Sequence, residues 1–195
     1  MKPAGLLLTG GTSRRLGRDK ASAELGGRSL AVRAAEALAS TASPVLAVGH
    51  SAGTNLETIS DAREGPLAAL VAGADALAGR GSRGPLILLA ADMPFVSAAL
   101  LDRLIAALGD ADAALPVAEG RDQPLCACYA RSAIEVARRL VVEGGRAMFE
   151  LVDALPAVVR VPEDEWSRIA PPYALLDVDS PEDLAAAERI LDAPE

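Results

Sequence analysis

Apolar residues fall along the chain in two spacings: short dense runs, and longer stretches in which they recur every three or four positions. The first suits strands buried on both faces of a sheet, and the second suits helices laid against it. Residues 6–9 open the series as a short strand. From Ser29 to Ser40 the spacing is helical, with the Ser29 hydroxyl placed as the cap. Val45-Leu46-Ala47-Val48 reads as a second strand between Pro44 and Gly49, and a short strand follows near residues 56–59. Gly65-Pro66-Leu67 opens a helix to about residue 78, and residues 85–91 form the most apolar strand of all. Ser97 caps a helix over 100–108, residues 113–117 return as a strand, and a further apolar strand ends at Tyr129. An amphipathic helix over 131–142 runs into the turn Glu143-Gly144-Gly145-Arg146, and residues 157–161 give a strand beside a proline-rich acidic loop.

The last segment predicts a strand carrying Asp177 and Asp179 on one face, since side chains alternate along a strand. A helix follows, with Ser180 as cap, Pro181 in its first position and Asp183 completing an approximate capping box. This alternation predicts an α/β protein: a three-layer α/β/α sandwich with a Rossmann-like, doubly wound, mainly parallel sheet. Residues 1–195 read as a single domain, with residues 6–9 and 86–91 on adjacent or near-adjacent central strands.

Composition narrows the class. Apolar residues make up 51%, but the aromatics are only two Phe, two Tyr and one Trp, so Ala, Leu and Val must fill the core. The net charge of -8 speaks against a nucleic-acid surface, and no apolar run is long enough to span a membrane. The N-terminus lacks the pattern of a signal peptide. Cys126 and Cys128 stand too close for an ordinary disulfide and read as small buried apolar residues, and no Cys/His set surrounds the single His50. A reduced, cytoplasmic protein is expected.

Chemistry concentrates after the first strand. Gly10 and Gly11 allow a sharp turn with bare amides, and Arg14, Arg15, Arg18 and Lys20 then bring four cations into seven residues of an acidic protein. Such a loop suits a polyanion, most simply a nucleotide triphosphate. It is not a Walker A loop, because Gly17 is followed by Arg18, and the adjacent glycines do not fit the dinucleotide fingerprint. Asp92 stands just past the end of the most apolar strand, where open α/β sheets bind ligands and where a divalent cation on triphosphate oxygens finds a carboxylate.

The string Leu-x-Gly-Gly-x-x-x-Arg-x-Gly-x-Asp-Lys, from Leu8 to Lys20, resembles the opening loop of the nucleotidyltransferase family that includes molybdenum cofactor guanylyltransferase. Asp92-Met93-Pro94 resembles that family's metal-binding strand end, and Asp177-Val178-Asp179-Ser180-Pro181-Glu182-Asp183-Leu184 resembles its closing motif with both Asn replaced by Asp. The family's asparagine after the second strand has no match in Gly49-His50-Ser51. The resemblance implies the nucleotide-diphospho-sugar transferase type of fold and Mg²⁺-dependent transfer of GMP from GTP to molybdopterin. It implies Arg15, Lys20 and Asp92 as catalytic residues, and Leu8, Thr9, Gly10, Gly11, Lys20, Asp61 and Asp92 around the nucleotide. Asp61 precedes Gly65-Pro66-Leu67 and is the residue implied at the guanine ring, whose N1–H and 2-amino group suit a carboxylate. Asp92 and Asp179 are implied for the metal, and Gln123, Pro124 and Arg146 for the acceptor. The implied partners are GTP, the molybdopterin cofactor, and molybdoenzyme-specific chaperones or acceptor enzymes. The Gly-x-Asp-Lys form favours the guanylyl branch over the cytidylyl branch. Cytidylyl transfer, another small-molecule nucleotidyl transfer and a non-catalytic nucleotide-binding regulator stand as the alternatives.

Overall fold

The computed structural model describes residues 2–10, 20–60 and 64–193. Gly11, Arg15 and Asp61, three of the residues implied at the nucleotide, lie outside the described residues. The first strand β1 (Ala4–Leu8) is buried along its whole length, and a 3-10 turn at Lys20–Ser22 leads to a small hairpin, β2 (Glu24–Leu25) and β3 (Arg28–Ser29). Helix α1 (Leu30–Thr41) starts where the Ser29 hydroxyl accepts from the Val32 amide. Then come β4 (Val45–Val48), β5 (Glu57–Ile59), α2 (Pro66–Gly79), β6 (Leu86–Ala90) and α3 (Ala98–Leu108). The second half runs β7 (Ala113–Ala118), β8 (Arg121–Asp122), β9 (Cys126–Tyr129), α4 (Arg131–Val142), α5 (Met148–Ala154), β10 (Val158–Val161), α6 (Glu163–Trp166) and α7 (Pro181–Asp192).

One sheet runs through the molecule in the order β10-β7-β9-β6-β1-β4-β5, with β8 paired to β7. Strands β6, β1, β4 and β5 are mutually parallel, and Leu8 is opposite both Ala90 and Val48, so these strands end level with one another. The direct β1–β6 pairing is the expected central adjacency. Strand β9 is the exception, antiparallel to both β6 and β7. Side-chain alternation sends Leu7, Ile87 and Leu89 to one face, under α1 and α3, and Leu6, Leu8 and Leu88 to the other, under α2, α4 and α5. Helix α2 comes especially close to β1: a Cβ on Gly73 would lie 2.5 Å from the Leu6 side chain.

A third, smaller cluster decides where the end of the chain goes. Leu25, Leu30, Val178 and Ala187 are buried together, with Phe95, Leu176 and Leu184 against them. They clamp α7 and the segment before it onto the small hairpin and α1. The expected strand at 175–179 does not form: its ladder partner is missing among the described residues, and one backbone bond, Val178 N–H to the Asp92 carbonyl at 2.9 Å, is what ties it to the end of β6. Alternation survives without the ladder, because Val178 is buried in this cluster while Asp177 and Asp179 both face outward. The proline-rich stretch after residue 150 also departs from expectation. It holds α5 and α6 as well as a strand, and Trp166 plugs the core with its Nε1 donating to the Val117 carbonyl at 2.9 Å.

Candidate active site

Three charged side chains from distant parts of the chain meet beyond the ends of the parallel strands. Asp92 follows β6 directly, Lys20 opens the 3-10 turn, and Asp179 comes from the segment that Val178 anchors. Lys20 Nζ donates to Asp92 Oδ2 and to Asp179 Oδ1, bridging the two carboxylates. The lysine side chain is only 14% exposed, held between the two carboxylates. Burial pulls the Lys20 ammonium down, but the charge of Asp92 and the bonds to Asp179 and Asp92 outweigh it, so its pKa stands above the ordinary value.

The second Asp92 oxygen, Oδ1, is buried, and no described residue donates to it. An acceptor left without a donor at the edge of a carboxylate pair is a feature that a cation satisfies. Among the described residues no group of three or more His, Cys, Asp and Glu side chains is arranged around one point. Asp92 and Asp179 together would give a hard divalent ion two carboxylates, the complement of an ion that also takes triphosphate oxygens and water. Asp177 lies beside this pair. Desolvation, then the charge of Asp92, push its carboxyl up to about 7 against the pull of Lys20.

On the glycine-loop side the backbone is tightly folded. The amides of Thr9 and Gly10 both donate to the Val48 carbonyl, at 3.0 and 3.2 Å. Thr9 Oγ1 donates to the His50 carbonyl at 2.7 Å and accepts from the His50 amide at 3.0 Å. This corrects the expectation of a bare amide at Gly10, while Gly11 lies outside the described residues. The Thr9 and Gly10 amides hold the ends of β1 and β4 together, and the Leu8 carbonyl is taken by the Ala91 amide at 3.0 Å. Gly49 makes the approach possible: it has φ 126°, and a Cβ there would lie 2.5 Å from the Gly10 nitrogen.

On the other side of Asp92 opens a cleft of about 560 Å³. Gln123, Pro124 and Arg146, the residues implied for the acceptor, all line it, together with Met93 and Asp177 from beside the carboxylate pair. Arg146 is held at the mouth by Glu64, Nη1 to Oε2 at 3.3 Å, and its carbonyl accepts from the Leu67 amide at the start of α2. Sequence reasoning passed over Arg121 and Phe149, which also line the cleft. Arg121 sits on a two-residue hairpin whose Glu119 and Gly120 have φ 50° and 72°, the signature of a type I′ turn that the Glu-Gly pair could have signalled. Cys126 and Cys128 take no part in the chemistry: both are buried, and burial pushes both thiols up to about 12.

A family model described as the MobA-like NTP transferase domain matches residues 5–159, a span that holds the glycine loop, Asp92 and the cleft's β8–β9 wall. The chain belongs to the MobA-like NTP transferases. It is 36% identical over 179 residues to a probable molybdenum cofactor guanylyltransferase of Opitutus terrae, covering 86% of this chain and 88% of that protein. It is 30% identical to the molybdenum cofactor guanylyltransferase of Rhizobium leguminosarum bv. trifolii, over 97% of this chain and 93% of the other. Among solved structures, the molybdopterin-guanine dinucleotide biosynthesis protein A of Archaeoglobus fulgidus superposes with a TM-score of 0.77 at 27% identity, covering 97% and 98% of the two chains. This NTP transferase thus shares a nucleotidyltransferase fold and class with proteins matched over nearly its full length.

Proposed function

We propose that this NTP transferase moves GMP from GTP onto the terminal phosphate of molybdopterin, with Mg²⁺ as its metal. The observation that carries the reading is the meeting of Lys20, Asp92 and Asp179 beyond the strand ends, beside an open cleft. An oxygen of the acceptor phosphate forms a bond to the α-phosphorus of GTP, the bond from that phosphorus to the bridging oxygen breaks, and pyrophosphate leaves. Asp92 and Asp179 are the residues that would hold the metal, and the unpartnered Asp92 Oδ1 fits that role. Bound there, Mg²⁺ would supply charge neutralisation on the triphosphate. Lys20 stays protonated, as its raised pKa requires, and with Arg15 offers charge-assisted contacts to phosphate oxygens. The residues Leu8, Thr9, Gly10 and Gly11 border the nucleotide, with Asp61 accepting from guanine, and Gln123, Pro124 and Arg146 border the acceptor. No covalent enzyme intermediate is needed, and the two cysteines are too deeply buried to form one.

Among the described residues no helix is long and apolar enough to cross a membrane. We place the reaction in the cytoplasm, with the product handed to molybdoenzymes or their specific chaperones. The test is pyrophosphate release from GTP with Mg²⁺ and molybdenum-loaded molybdopterin, run beside a thermal-shift panel of GTP, CTP, ATP and UTP. GTP should give both the largest stabilisation and the release. Stabilisation by CTP with indifference to GTP would move the chain to cytidylyl transfer, and stabilisation without any release would make it a nucleotide-binding regulator.

A further inference from the structure

Resting on that reading, we propose that Phe149 is the platform on which the acceptor's planar ring stacks, with Arg121 meeting the acceptor's negative charge. Two Phe, two Tyr and one Trp make up the aromatic side chains, and four of these are either buried or paired with one another. Trp166 is buried on Val117, and the buried Tyr129 hydroxyl donates to the Pro124 carbonyl at 2.7 Å. Phe95 and Tyr173 meet edge to face with centroids 5.1 Å apart. Phe149 alone has neither role: it is 54% exposed, lines the cleft, and has no ring partner among the described residues. Helix α5 does not need it for anchoring, since Met148, Leu151 and Val152 are the residues buried beneath it.

The charges around the cleft point the same way. Asp122 is taken up by Arg160, Nε to Oδ1 at 2.9 Å and Nη2 to Oδ2 at 2.9 Å, and Arg146 faces Glu64. Arg121 makes no ion pair among the described residues, so it is the cation that the cleft leaves for an anion. The turn at Glu119 and Gly120 and the Asp122–Arg160 pair fix the strand that carries it. A ring with bound negative charge is the ligand that this pairing selects.

Sheet order points to the acceptor. The glycine loop follows β1, and Gly10 is held against Gly49 at the end of β4, on one side of β6 and its Asp92. Arg121 and Pro124 belong to the β7–β9 side, and Phe149 shares their cleft. A base seated over Gly10 would lie across Asp92 from Arg121 and Pro124, which assigns the ring at Phe149 to the acceptor.

Phe149→Ala should raise KM for molybdenum-loaded molybdopterin about tenfold or more, as loss of an aromatic stacking surface does. KM for GTP and the GTP thermal shift should stay at wild-type values, and Phe149→Tyr should restore the acceptor KM. Arg121→Gln should raise the same KM and flatten its dependence on salt. A readout free of turnover uses Phe149→Trp: neopterin monophosphate, added without GTP, should quench the new indole emission. An unchanged acceptor KM in Phe149→Ala, or a rise in KM for GTP in its place, overturns the platform, as does an unquenched indole. If the indole is quenched while the wild type transfers no GMP to the pterin, the platform stands and the guanylyl-transfer reading falls.

Discussion

Asp92 carries two demands on one carboxylate: Oδ2 accepts from Lys20, and Oδ1 is buried with no described donor. Asp92→Asn keeps the shape and removes the charge that a hard cation requires, so pyrophosphate release should fall by orders of magnitude while the melting temperature changes little. Asp179→Asn, which restores the residue the family resemblance expects, should keep most of the activity. Measuring release against Mg²⁺ concentration for both variants separates the two carboxylates; a dead Asp179→Asn beside an active Asp92→Asn would reverse their roles. Asp177 makes a different prediction. Its folded pKa of about 7 lies above the ordinary 3.8, so its contribution to stability is complete below the lower value and is lost as pH rises through the upper one. In metal-free protein, Asp177→Asn should therefore raise the melting temperature at pH 8 and leave it nearly unchanged at pH 3, read by calorimetry at both. At this scale the sequence carried the place of Asp92, because a charge after the most apolar run marks where that strand stops. It did not carry the bridge from Lys20 to two carboxylates, which depends on contacts across 72 and 159 residues.

Most of the parallel half of the sheet was legible because β1, β4 and β6 are pure apolar runs, and three helices have readable caps: Ser29, Ser97 and Ser180 all accept from the expected first-turn amides. The direction of β9 was not. Cys126-Ala127-Cys128-Tyr129 is equally apolar whichever way it runs, and only its position between β6 and β7 shows that it is reversed. Helix α5, with seven residues behind a glycine turn, was too short to show a period. One glycine that resembled any other helix residue turns out to set a packing distance. At Gly73 the missing Cβ leaves room for Leu6, which would otherwise meet it at 2.5 Å. Gly73→Val should push α2 off β1 and cost roughly 1–3 kcal/mol. Chemical denaturation would show it, with KM values for the surviving folded enzyme close to wild type. A variant as stable as the parent would mean that the helix has slack the structure does not show.

Across the whole molecule, two large clusters build the sandwich and the small third one completes the site. Leu25 and Leu30 from the start of the chain bury Val178 and Ala187 from its end, and Asp177 and Asp179 are displayed on either side of Val178. Ala187→Asp puts an unpaired charge where exposure is 0%, and should release α7 with the segment before it. The expected outcome is rapid proteolysis after residue 175 and loss of pyrophosphate release, while the far-UV signal of the sheet persists. Retained activity would show that Asp179 is placed without this cluster. The closing motif was legible as a string but not as a structure, because what holds it is a buried valine and one backbone bond rather than a ladder. That arrangement also gives the site a birth order. Lys20 and Asp92 leave the ribosome long before Asp179, so a nascent chain can assemble its sheet and pair the lysine with one carboxylate while the other is still being translated. The tie from Val178 to the Asp92 carbonyl is then the closing stitch, and a chain arrested before it would have the sheet of a transferase with the carboxylate pair half made.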